Sequence, residues 1–471
     1  MRAWLLLAAL ALAGCATTSV PDPVQSALDK AGLPADSLGY VLQPLDGSRP
    51  ALQRRAGDPM SPGSTMKLVT ATVALEKLGI NHRGRTELLA ASAPVAGVID
   101  GPLILRGGAD PDLDWPALWW LLRQLRESGV REIRGGLVVD RTLFSPTRLD
   151  VGLPPFDEAP EFDYNVIPDA LHLNGSLLDY ELQATASGVA ARSVPALQGL
   201  RVEAGAMTLS SKPCKDWDED WKPAVVEPTA SGLTVRLQGA FPAGCRQLAP
   251  LQLIDRQWLV THAVRQFWTE LGGTLGPGDT EAAAPAGAVV LATHRSRPLA
   301  EVMRGVMKRS DNALTRLVYL QLGAQAAQPG EPTLAAAERS VRAWFAAHGV
   351  DDRGLVLDNG SGLSRSERVS PAQLAAVLRA SQAGGQAPEL LGALPLAGVD
   401  GTLTRRLKDG PATGRARLKT GTLRDAVGLA GFVPDASGRT WVFVALLNHP
   451  EAARKGRPVL DALANWVATQ R

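Results

Sequence analysis

The sequence has few of the residues that bind metals and little net charge. It holds three cysteines and six histidines in 471 residues, and the histidines lie far apart along the chain. A zinc site needs its ligands at short, regular spacings, so these histidines offer none, and we predict neither a metal nor a cofactor. The net charge of +2 is too small to indicate nucleic acid as a partner.

Long apolar runs are also missing, apart from one at the N-terminus. The stretch from Ala3 to Ala13 is apolar throughout and follows the positive start Met1-Arg2. This run is shorter than the roughly 20 residues that span a bilayer, but it matches the core of a secretory signal peptide. Because no second run approaches spanning length, we expect the rest of the chain to be soluble.

The apolar run ends in Leu12-Ala13-Gly14-Cys15, which resembles the lipobox of bacterial lipoproteins. The resemblance implies that residues 1–14 are a signal peptide, that Cys15 carries the lipid, and that residues 15–26 are a linker. The mature chain would then lie in the periplasm or cell envelope and touch the membrane only through its anchor. Ala16 rather than aspartate after the cysteine implies the outer membrane in a Gram-negative host. An ordinary signal peptide with an incidental cysteine is the alternative.

The two remaining cysteines, Cys214 and Cys245, form an even pair in an exported chain. Export removes the reducing pool that keeps thiols free, and a lipid would occupy Cys15, so we predict a disulfide between them. Two buried free thiols are the alternative.

A weak calcium signal lies beside the first of these cysteines. Asp216, Asp218 and Asp220 alternate, and Glu227 stands at the twelfth position, as in a calcium-binding loop. Trp221, however, occupies the position where that loop needs glycine for its sharp turn. We therefore interpret the segment as an acidic surface loop.

The helix and strand signals suggest a β-rich region inserted into a mixed α/β unit. A strand pair over 39–52 and a helix over 64–78 come first, and residues from about 85 to 290 show short alternating strands with many Gly and Pro turns. The later predicted elements are helices over 298–323 and 333–349, three antiparallel strands within 416–448 and a terminal helix over 458–469.

A serine and a lysine stand three positions apart at the start of the first predicted helix. Positions i and i+3 share one face of a helix, so Ser64 and Lys67 are expected within hydrogen-bond reach. A serine hydroxyl becomes nucleophilic when an adjacent base takes its proton. The apolar neighbours of Lys67 would lower its pKa by desolvation and so make it such a base. Taken alone, this S-x-x-K pattern is common, and a surface lysine explains it equally well.

Two further motifs follow in chain order. Residues 310–312 read S-D-N at the start of a helical segment, and residues 419–421 read K-T-G on a predicted strand. The set S-x-x-K, S-x-N and K-T-G in this order is found in penicillin-binding proteins and serine β-lactamases. The interval between the first two motifs is far longer than a small β-lactamase needs, which fits extra domains between them.

The wider sequence resembles the class C, low-molecular-mass penicillin-binding proteins of peptidase family S13. The stretches that carry the resemblance include "SPGSTMKL", "LDNGSGLSRSERVS" and "RLKTGTLRDAVGLAGFV", with "LILRGGADPDL" and "YNVIPDALHLN" in the inserted region. It implies an α/β (α+β) serine β-lactamase/DD-peptidase-like transpeptidase domain, built from residues 27–85 and 290–471. The β-rich insertion would form one or two domains, namely 86–160 with 246–289, and 161–245.

The resemblance also implies the activity and the site. The chain would be a D-alanyl-D-alanine carboxypeptidase/endopeptidase that acts on peptidoglycan stem peptides and cross-links and is inhibited by β-lactams. Ser64 would be the nucleophile, Lys67 its base and Ser310 a proton relay to the leaving amine. The residues implied in substrate binding are Asn312, Lys419, Thr420, Gly421 and Thr422. Backbone N–H groups of Ser64 and Thr422 would form the oxyanion hole, and the missing side chain of Gly421 would let substrate lie against the strand.

Two other functions and two minor features stay open. A β-lactamase shares the acylation step, and a non-catalytic wall-binding lipoprotein could keep the fold. The stretch with Asp358, Gly360 and Gly362 is predicted to be a tight turn rather than a part of the site. Arg405 and Arg406 could face substrate carboxylates or solvent, and the sequence does not choose between these.

Overall fold

The computed structural model describes residues 20–152 and 159–471. The predicted signal peptide and Cys15 lie outside the described residues. In the described part of the chain, no helix has both the length and the apolar character needed to cross a bilayer.

Strands and helices alternate along the chain, with the strands concentrated in the middle and near the end. The strands are β1 Leu38–Pro44, β2 Leu52–Arg54, β3 Arg85–Ala90, β4 Val98–Ile99, β5 Leu103–Gly108, β6 Glu132–Ile133, β7 Leu137–Asp140, β8 Leu178–Thr185, β9 Gly188–Val194, β10 Leu200–Ser210, β11 Trp221–Thr229, β12 Gly232–Pro242, β13 Arg246–Leu251, β14 Thr274–Leu275, β15 Thr280–Glu281, β16 Val289–Arg295, β17 Arg417–Leu423, β18 Ala426–Pro434 and β19 Thr440–Asn448.

The α-helices are α1 Asp22–Ala31, α2 Lys67–Lys77, α3 Trp115–Glu127, α4 Arg256–Glu270, α5 Leu299–Arg309, α6 Asn312–Ala326, α7 Thr333–Ala347, α8 Pro371–Ser381, α9 Ala387–Ala393, α10 Ala452–Lys455 and α11 Arg457–Thr469. Short 3₁₀ turns lie at Ala35–Ser37, Gly63–Met66, Asp163–Asn165, Leu173–Ser176, Cys214–Asp216 and Gly401–Leu403.

A five-stranded antiparallel sheet, in the order β17-β18-β19-β1-β2, joins the two ends of the chain. Successive side chains of a strand point to opposite faces. On β19, Val442 and Val444 accordingly pack into the core on the helical side, whereas Trp441 and Phe443 pack into the core beneath α1 and α11. Because both faces are covered, β19 reads as an unbroken apolar run rather than an alternating one.

The helical side of this sheet contains α2, α5, α6, α7, α8 and α9, which share one hydrophobic core. Every residue of α2 from Lys67 to Leu75 is buried. A helix with small or apolar residues all round is typical of a central core position. The helix that begins at Lys67 therefore runs through the middle of the domain.

The predicted helix over 298–323 is two helices. Helix α5 ends at Arg309, and the next residue, Ser310, adopts the left-handed conformation with φ 63° before α6 begins after Asp311. The Asp311 side chain caps α6 by accepting a hydrogen bond from the Leu314 N–H. Apolar periodicity continues across both helices, so the pattern alone does not show the break.

The inserted region is rich in strands, as predicted. Its largest sheet has the order β15-β7-β5-β3-β16, and two three-stranded sheets, β10-β12-β11 and β13-β8-β9, pack with it around one hydrophobic core. The first and last long strands of the region, β3 and β16, pair antiparallel. The boundary predicted at residue 290 therefore falls inside a strand of the insert's own sheet.

Cys214 and Cys245 form a disulfide in this region, with their Cα atoms 5.4 Å apart. Three of the acidic residues beside it have a cationic partner: Asp216 pairs with Lys215, Asp220 with Lys212, and Glu227 with Arg236. Among the described residues, no group of three His, Cys, Asp or Glu side chains is arranged to hold a metal ion.

Candidate active site

Ser64 lies on the tight 3₁₀ turn that leads into α2. The amide of Asn448, at the end of β19, fixes the start of this turn to the sheet. Its Oδ1 accepts from the Ser61 N–H at 2.8 Å, and its Nδ2 donates to the Ser61 carbonyl at 3.0 Å. Gly63 has φ +49°, in the left-handed region that favours glycine. Ser64 is only partly buried, so its hydroxyl stays accessible while its backbone is fixed.

Lys67 has no exposed surface, and its amine contacts three oxygen atoms. The Nζ atom lies 3.0 Å from Ser64 Oγ, 2.6 Å from Asn312 Oδ1 and 2.6 Å from the Ser361 carbonyl oxygen. Burial lowers the pKa of Lys67 to about 7, although the charges of Asp311 and Glu367 act in the opposite direction. A buried amine with this pKa is suited to take and return a proton near neutral pH.

Asn312 connects the inserted region to Lys67. Its Oδ1 accepts from Lys67, and its Nδ2 donates to the Tyr164 carbonyl at 3.1 Å. One turn further along α6, Arg316 donates to the carbonyl oxygens of Asn165 and Val166. The segment Asp163–Asn165 and its neighbour therefore hold the side chain of Asn312 in one orientation. Neither Tyr164 nor Arg316 was indicated by the three motifs.

Lys419 is also fully buried and contacts the second serine of the motif set. Its Nζ donates to Ser310 Oγ at 2.8 Å and to the Thr420 carbonyl at 2.8 Å. Burial first, and the neighbouring charge of Lys67 second, lower the pKa of Lys419 well below its usual value. The charge of Lys67 therefore disfavours protonation of Lys419, and an anion bound beside Lys419 would restore its charge.

The strand β17 runs beside the turn that carries Ser64, and Gly421 permits the close approach. A Cβ atom added to Gly421 would lie 2.4 Å from the Pro62 carbonyl oxygen and 3.0 Å from the Ser64 backbone nitrogen. A Cβ on Gly63 would likewise lie 3.0 Å from the Thr422 nitrogen. Residue 421 must therefore be glycine because it packs against the turn that carries Ser64. We had expected a different reason, namely contact with the substrate.

The two threonines of the strand differ in exposure. Thr422 is exposed beside the turn of Ser64, and Thr420 is buried with its hydroxyl 2.8 Å from that of Thr402. A cleft of about 440 Å³ continues from Ser310 and Asn312 towards Asp163 and Tyr164 of the insert. The S-x-x-K, S-x-N and K-T-G residues are therefore brought together at one site, next to the inserted region.

The stretch containing Asp358, Gly360 and Gly362 belongs to the site, so our interpretation of it as a turn remote from the chemistry is wrong. The Ser361 carbonyl accepts from Lys67, and a Cβ on Gly362 would lie 1.8 Å from the Gly63 carbonyl oxygen. The sequence signal was present in the two glycines of "DNGSGLS", but periodicity gives no indication of which element a loop contacts.

The sequence did not decide whether Arg405 and Arg406 face substrate or solvent, and the two side chains differ in their surroundings. Arg406 forms an ion pair with Asp461 at 2.6 Å, on helix α11. Arg405 is exposed.

Comparison with known proteins agrees with the motifs and the fold. The chain matches the D-Ala-D-Ala carboxypeptidase 3 (S13) family over residues 21–470. It is 29% identical over 461 residues to a D-alanyl-D-alanine carboxypeptidase from an Actinomadura species, covering 96% of this chain and 85% of the relative. It is 28% identical over 468 residues to the D-alanyl-D-alanine carboxypeptidase DacB of Haemophilus influenzae, covering 95% of this chain and 92% of the relative.

A solved structure shares the architecture. Penicillin binding protein 4 (dacB) from Haemophilus influenzae matches with a TM-score of 0.79 at 23% identity, covering 95% of this chain and 99% of that chain. The same protein has been solved in complex with a β-lactam, with a TM-score of 0.75 to this chain. The predicted fold class is confirmed by this likeness. With the family matched over nearly its whole length, the chain belongs to the D-Ala-D-Ala carboxypeptidase 3 (S13) family.

Proposed function

We infer that this chain is a serine D-alanyl-D-alanine carboxypeptidase and endopeptidase that acts on peptidoglycan through an acyl-enzyme on Ser64. The observation that carries the proposal is the 3.0 Å contact between Lys67 Nζ and Ser64 Oγ. Burial lowers the pKa of that amine to about 7, so a large fraction is neutral at neutral pH. A neutral amine at this distance can take the proton of the serine hydroxyl. Family membership supports the D-Ala-D-Ala substrate.

Acylation forms one bond and breaks another. Ser64 Oγ attacks the carbonyl carbon of the penultimate D-alanine while Lys67 Nζ takes the hydroxyl proton. The peptide C–N bond then breaks, and the terminal D-alanine leaves as an amine that receives this proton through the hydroxyl of Ser310. The backbone N–H groups of Ser64 and Thr422 stabilise the negative charge on the carbonyl oxygen, and one such donor typically contributes about 10²–10³ in rate.

The free carboxylate of the substrate binds beside β17. The hydroxyl of Thr422 donates to it, and that of Thr420 does so after its hydrogen turns away from Thr402 Oγ1. The negative charge of the carboxylate favours the protonated form of Lys419. Lys419 in turn donates to Ser310 Oγ at 2.8 Å, which connects carboxylate recognition to the serine that serves the leaving group. A substrate without the terminal carboxylate therefore lacks the charge that Lys419 needs.

Deacylation uses the same groups in reverse. Water attacks the ester carbonyl carbon, Lys67 takes a proton from the water, and Ser64 Oγ leaves with a proton returned by Lys67. A β-lactam acylates Ser64 in the same way but its leaving group stays attached, so the acyl-enzyme persists. The solved complex of the Haemophilus influenzae protein with a β-lactam supports this proposal.

The decisive activity test is product analysis. Purified protein should release D-alanine from a peptide that ends in D-Ala-D-Ala, and digestion of sacculi should convert cross-linked muropeptides to monomers. Ser64→Ala should abolish both products while remaining folded. Rapid turnover of penicillin without D-alanine release would instead favour the β-lactamase alternative, and no turnover of either substrate would favour a non-catalytic protein.

We also propose that the chain is exported and anchored in the cell envelope through a lipid on Cys15. The apolar run before Cys15 and the lipobox-like sequence support this location. Expression of the full chain should give a membrane-associated protein, and Cys15→Ala should move it to the soluble fraction. An unchanged distribution of the Cys15→Ala variant would contradict the anchor.

A further inference from the structure

A buried glutamate outside the three motifs holds the loop that contacts the catalytic lysine. Glu367 has no exposed surface. Its Oε1 accepts backbone N–H groups from Asp358, Asn359 and Gly360 at 3.3, 3.2 and 2.8 Å, and its Oε2 accepts from Gly362 at 2.7 Å. Every hydrogen bond that the described residues make to this carboxyl group comes from a donor, which is the arrangement that suits an ionised carboxylate.

The loop of residues 358–362 has further fixed contacts. Thr70, on α2, donates its hydroxyl to the Gly360 carbonyl at 2.6 Å. Asn359 Oδ1 accepts from both the N–H and the hydroxyl of Ser361. The backbone of Gly362 packs directly against that of Gly63, next to the nucleophile. The Ser361 carbonyl, which lies between these contacts, therefore has one defined position relative to Lys67.

The Ser361 carbonyl helps to orient the amine of Lys67, as the number of hydrogens on that amine indicates. A neutral amine has two hydrogens and one lone pair, and Lys67 Nζ has three neighbours: Ser361 O, Asn312 Oδ1 and Ser64 Oγ. A carbonyl oxygen and an amide oxygen can only accept. They therefore take the two hydrogens, and the lone pair of the neutral amine is left facing the hydroxyl of Ser64.

We propose that Glu367 is a positioning residue, which holds the Ser361 carbonyl so that the lone pair of Lys67 points at Ser64. The inference rests on the proposed function, since it assigns Glu367 a part in the same acylation step. If the loop relaxes, one hydrogen of Lys67 loses its acceptor and can turn towards Ser64 Oγ, which removes the base from the hydroxyl.

The test is the Glu367→Gln variant, measured by its rate of acylation with a fluorescent penicillin. Glutamine keeps the shape of the glutamate side chain, but one carboxylate oxygen becomes an NH₂ group. This group is a donor, and it would face backbone N–H groups that are donors as well. We expect the acylation rate constant to fall about 10-fold to 10²-fold, as for a small misplacement of a catalytic group. The effect should fall on the acylation step, and the affinity of the preceding non-covalent complex should change little.

A second readout separates positioning from a general loss of stability. The charged groups that face Lys67 are Asp311, which caps α6, Arg316 on α6, Lys419 on β17 and Glu367 itself. The Glu367 charge raises the pKa of Lys67, so its removal should move the acid limb of the acylation profile to lower pH while the plateau rate falls. A structural role alone would reduce the labelled fraction of the protein, while the folded molecules would keep the wild-type plateau rate constant.

Asp435 provides the matched control. It has no exposed surface, lies in the turn between β18 and β19, and accepts the backbone N–H groups of Ser437 and Arg439 at 2.9 and 3.0 Å. Its carboxylate also accepts from the Ser437 hydroxyl and the Trp441 indole N–H. Asp435→Asn likewise removes a buried carboxylate that binds backbone N–H groups, without touching the loop at Lys67. It should destabilise the fold but leave the acylation rate constant of the folded protein unchanged.

The outcomes are distinct. A wild-type protein that penicillin does not label would refute the proposed function, whereas a folded Glu367→Gln variant acylated at the wild-type rate would refute only the role of Glu367. If Glu367→Gln does not fold, the pair Thr70→Val and Thr70→Ser decides. Loss of the hydroxyl that holds Gly360 should slow acylation, and serine should restore it, whereas equal rates in both variants would overturn the inference.

Discussion

Burial of the Lys67 side chain lowers the pKa of its amine to about 7, because the buried charged form loses the solvation that it has in bulk solvent. The carboxylates of Asp311 and Glu367 partly oppose this shift, and the charge of Arg316 adds to it. The amine is thus poised between its two protonation states at neutral pH. The pH profile of acylation should report this single residue.

The rate of acylation by penicillin should fall as the pH drops below the pKa of Lys67. The protonated amine has no lone pair for the serine proton, so below about pH 7 the rate should decrease towards tenfold per pH unit. Stopped-flow measurements between about pH 5 and pH 9 check this, with circular dichroism at each pH as the control for folding. A rate that stays constant from pH 5 to pH 8 would contradict the role of Lys67 as base.

At the scale of single residues, the motifs predicted which side chains come together but not the residues that hold them in place. The three motifs name side chains that contact one another in the structure, namely those of Ser64, Lys67, Ser310, Asn312 and Lys419. Ser361 acts through its carbonyl, and any residue type supplies a carbonyl, so no motif can reveal it. Among the residues that the structure describes, the Glu367 carboxylate accepts only from backbone N–H groups, and such a contact leaves no partner residue in the sequence.

Among the helices and strands, those with a repeating apolar pattern were predicted, whereas features that depend on local geometry were not. The strands β17, β18 and β19 and the terminal helix α11 were predicted because their apolar residues repeat over many positions. The break between α5 and α6 was missed because it depends on one residue, Ser310, in the left-handed conformation. The loop at Gly360 was misjudged because its position depends on packing between distant parts of the chain.

The contact between β17 and the turn of the nucleophile should tolerate no side chain at Gly421. In Gly421→Ala the new Cβ would lie 2.4 Å from the Pro62 carbonyl oxygen, so the backbone must shift. We expect a destabilisation of about 1–3 kcal/mol and a large loss of penicillin labelling.

Gly205 is the matched control for this substitution, since it also lies in a strand but an added Cβ would meet nothing within 4 Å. Gly205→Ala should keep both stability and labelling. Wild-type thermal stability and acylation in Gly421→Ala, measured in the same assays, would show that the close approach does not constrain the site.

At the scale of the whole molecule, we propose that the chain divides into a discontinuous catalytic domain and a β-rich insertion. The pairing of β3 with β16 supports junctions close to residues 84 and 296, rather than at 85 and 290. The insertion also reaches the site through the Tyr164 carbonyl. It is therefore expected to influence catalysis as well as to extend the fold.

Limited proteolysis should cut the exposed segment 282–288, which follows β15 and precedes β16. Because β16 stays paired with β3, the two pieces should remain associated under native conditions and separate on a denaturing gel. Fluorescent penicillin should then label only the N-terminal piece, which carries Ser64. Cleavage confined to the chain termini would count against this boundary.

The disulfide should stabilise the insertion without serving the chemistry. Cys214 and Cys245 are 31 positions apart, and closing a loop of that length is worth about 3–4 kcal/mol in the chain-entropy model. The double variant with both cysteines replaced by serine should melt at a lower temperature and still react with penicillin. Mass spectrometry of the non-reduced, alkylated protein checks the bond, and two alkylated cysteines would exclude it.

The most direct test of the account is to identify the residue that penicillin acylates. The protein is incubated with penicillin, denatured, digested and analysed by tandem mass spectrometry, with folded Ser64→Ala protein in parallel. We predict one penicilloyl adduct on the peptide that contains Ser64, and none in the variant. An adduct on any other residue, or undiminished acylation of Ser64→Ala, would contradict the assignment of the nucleophile.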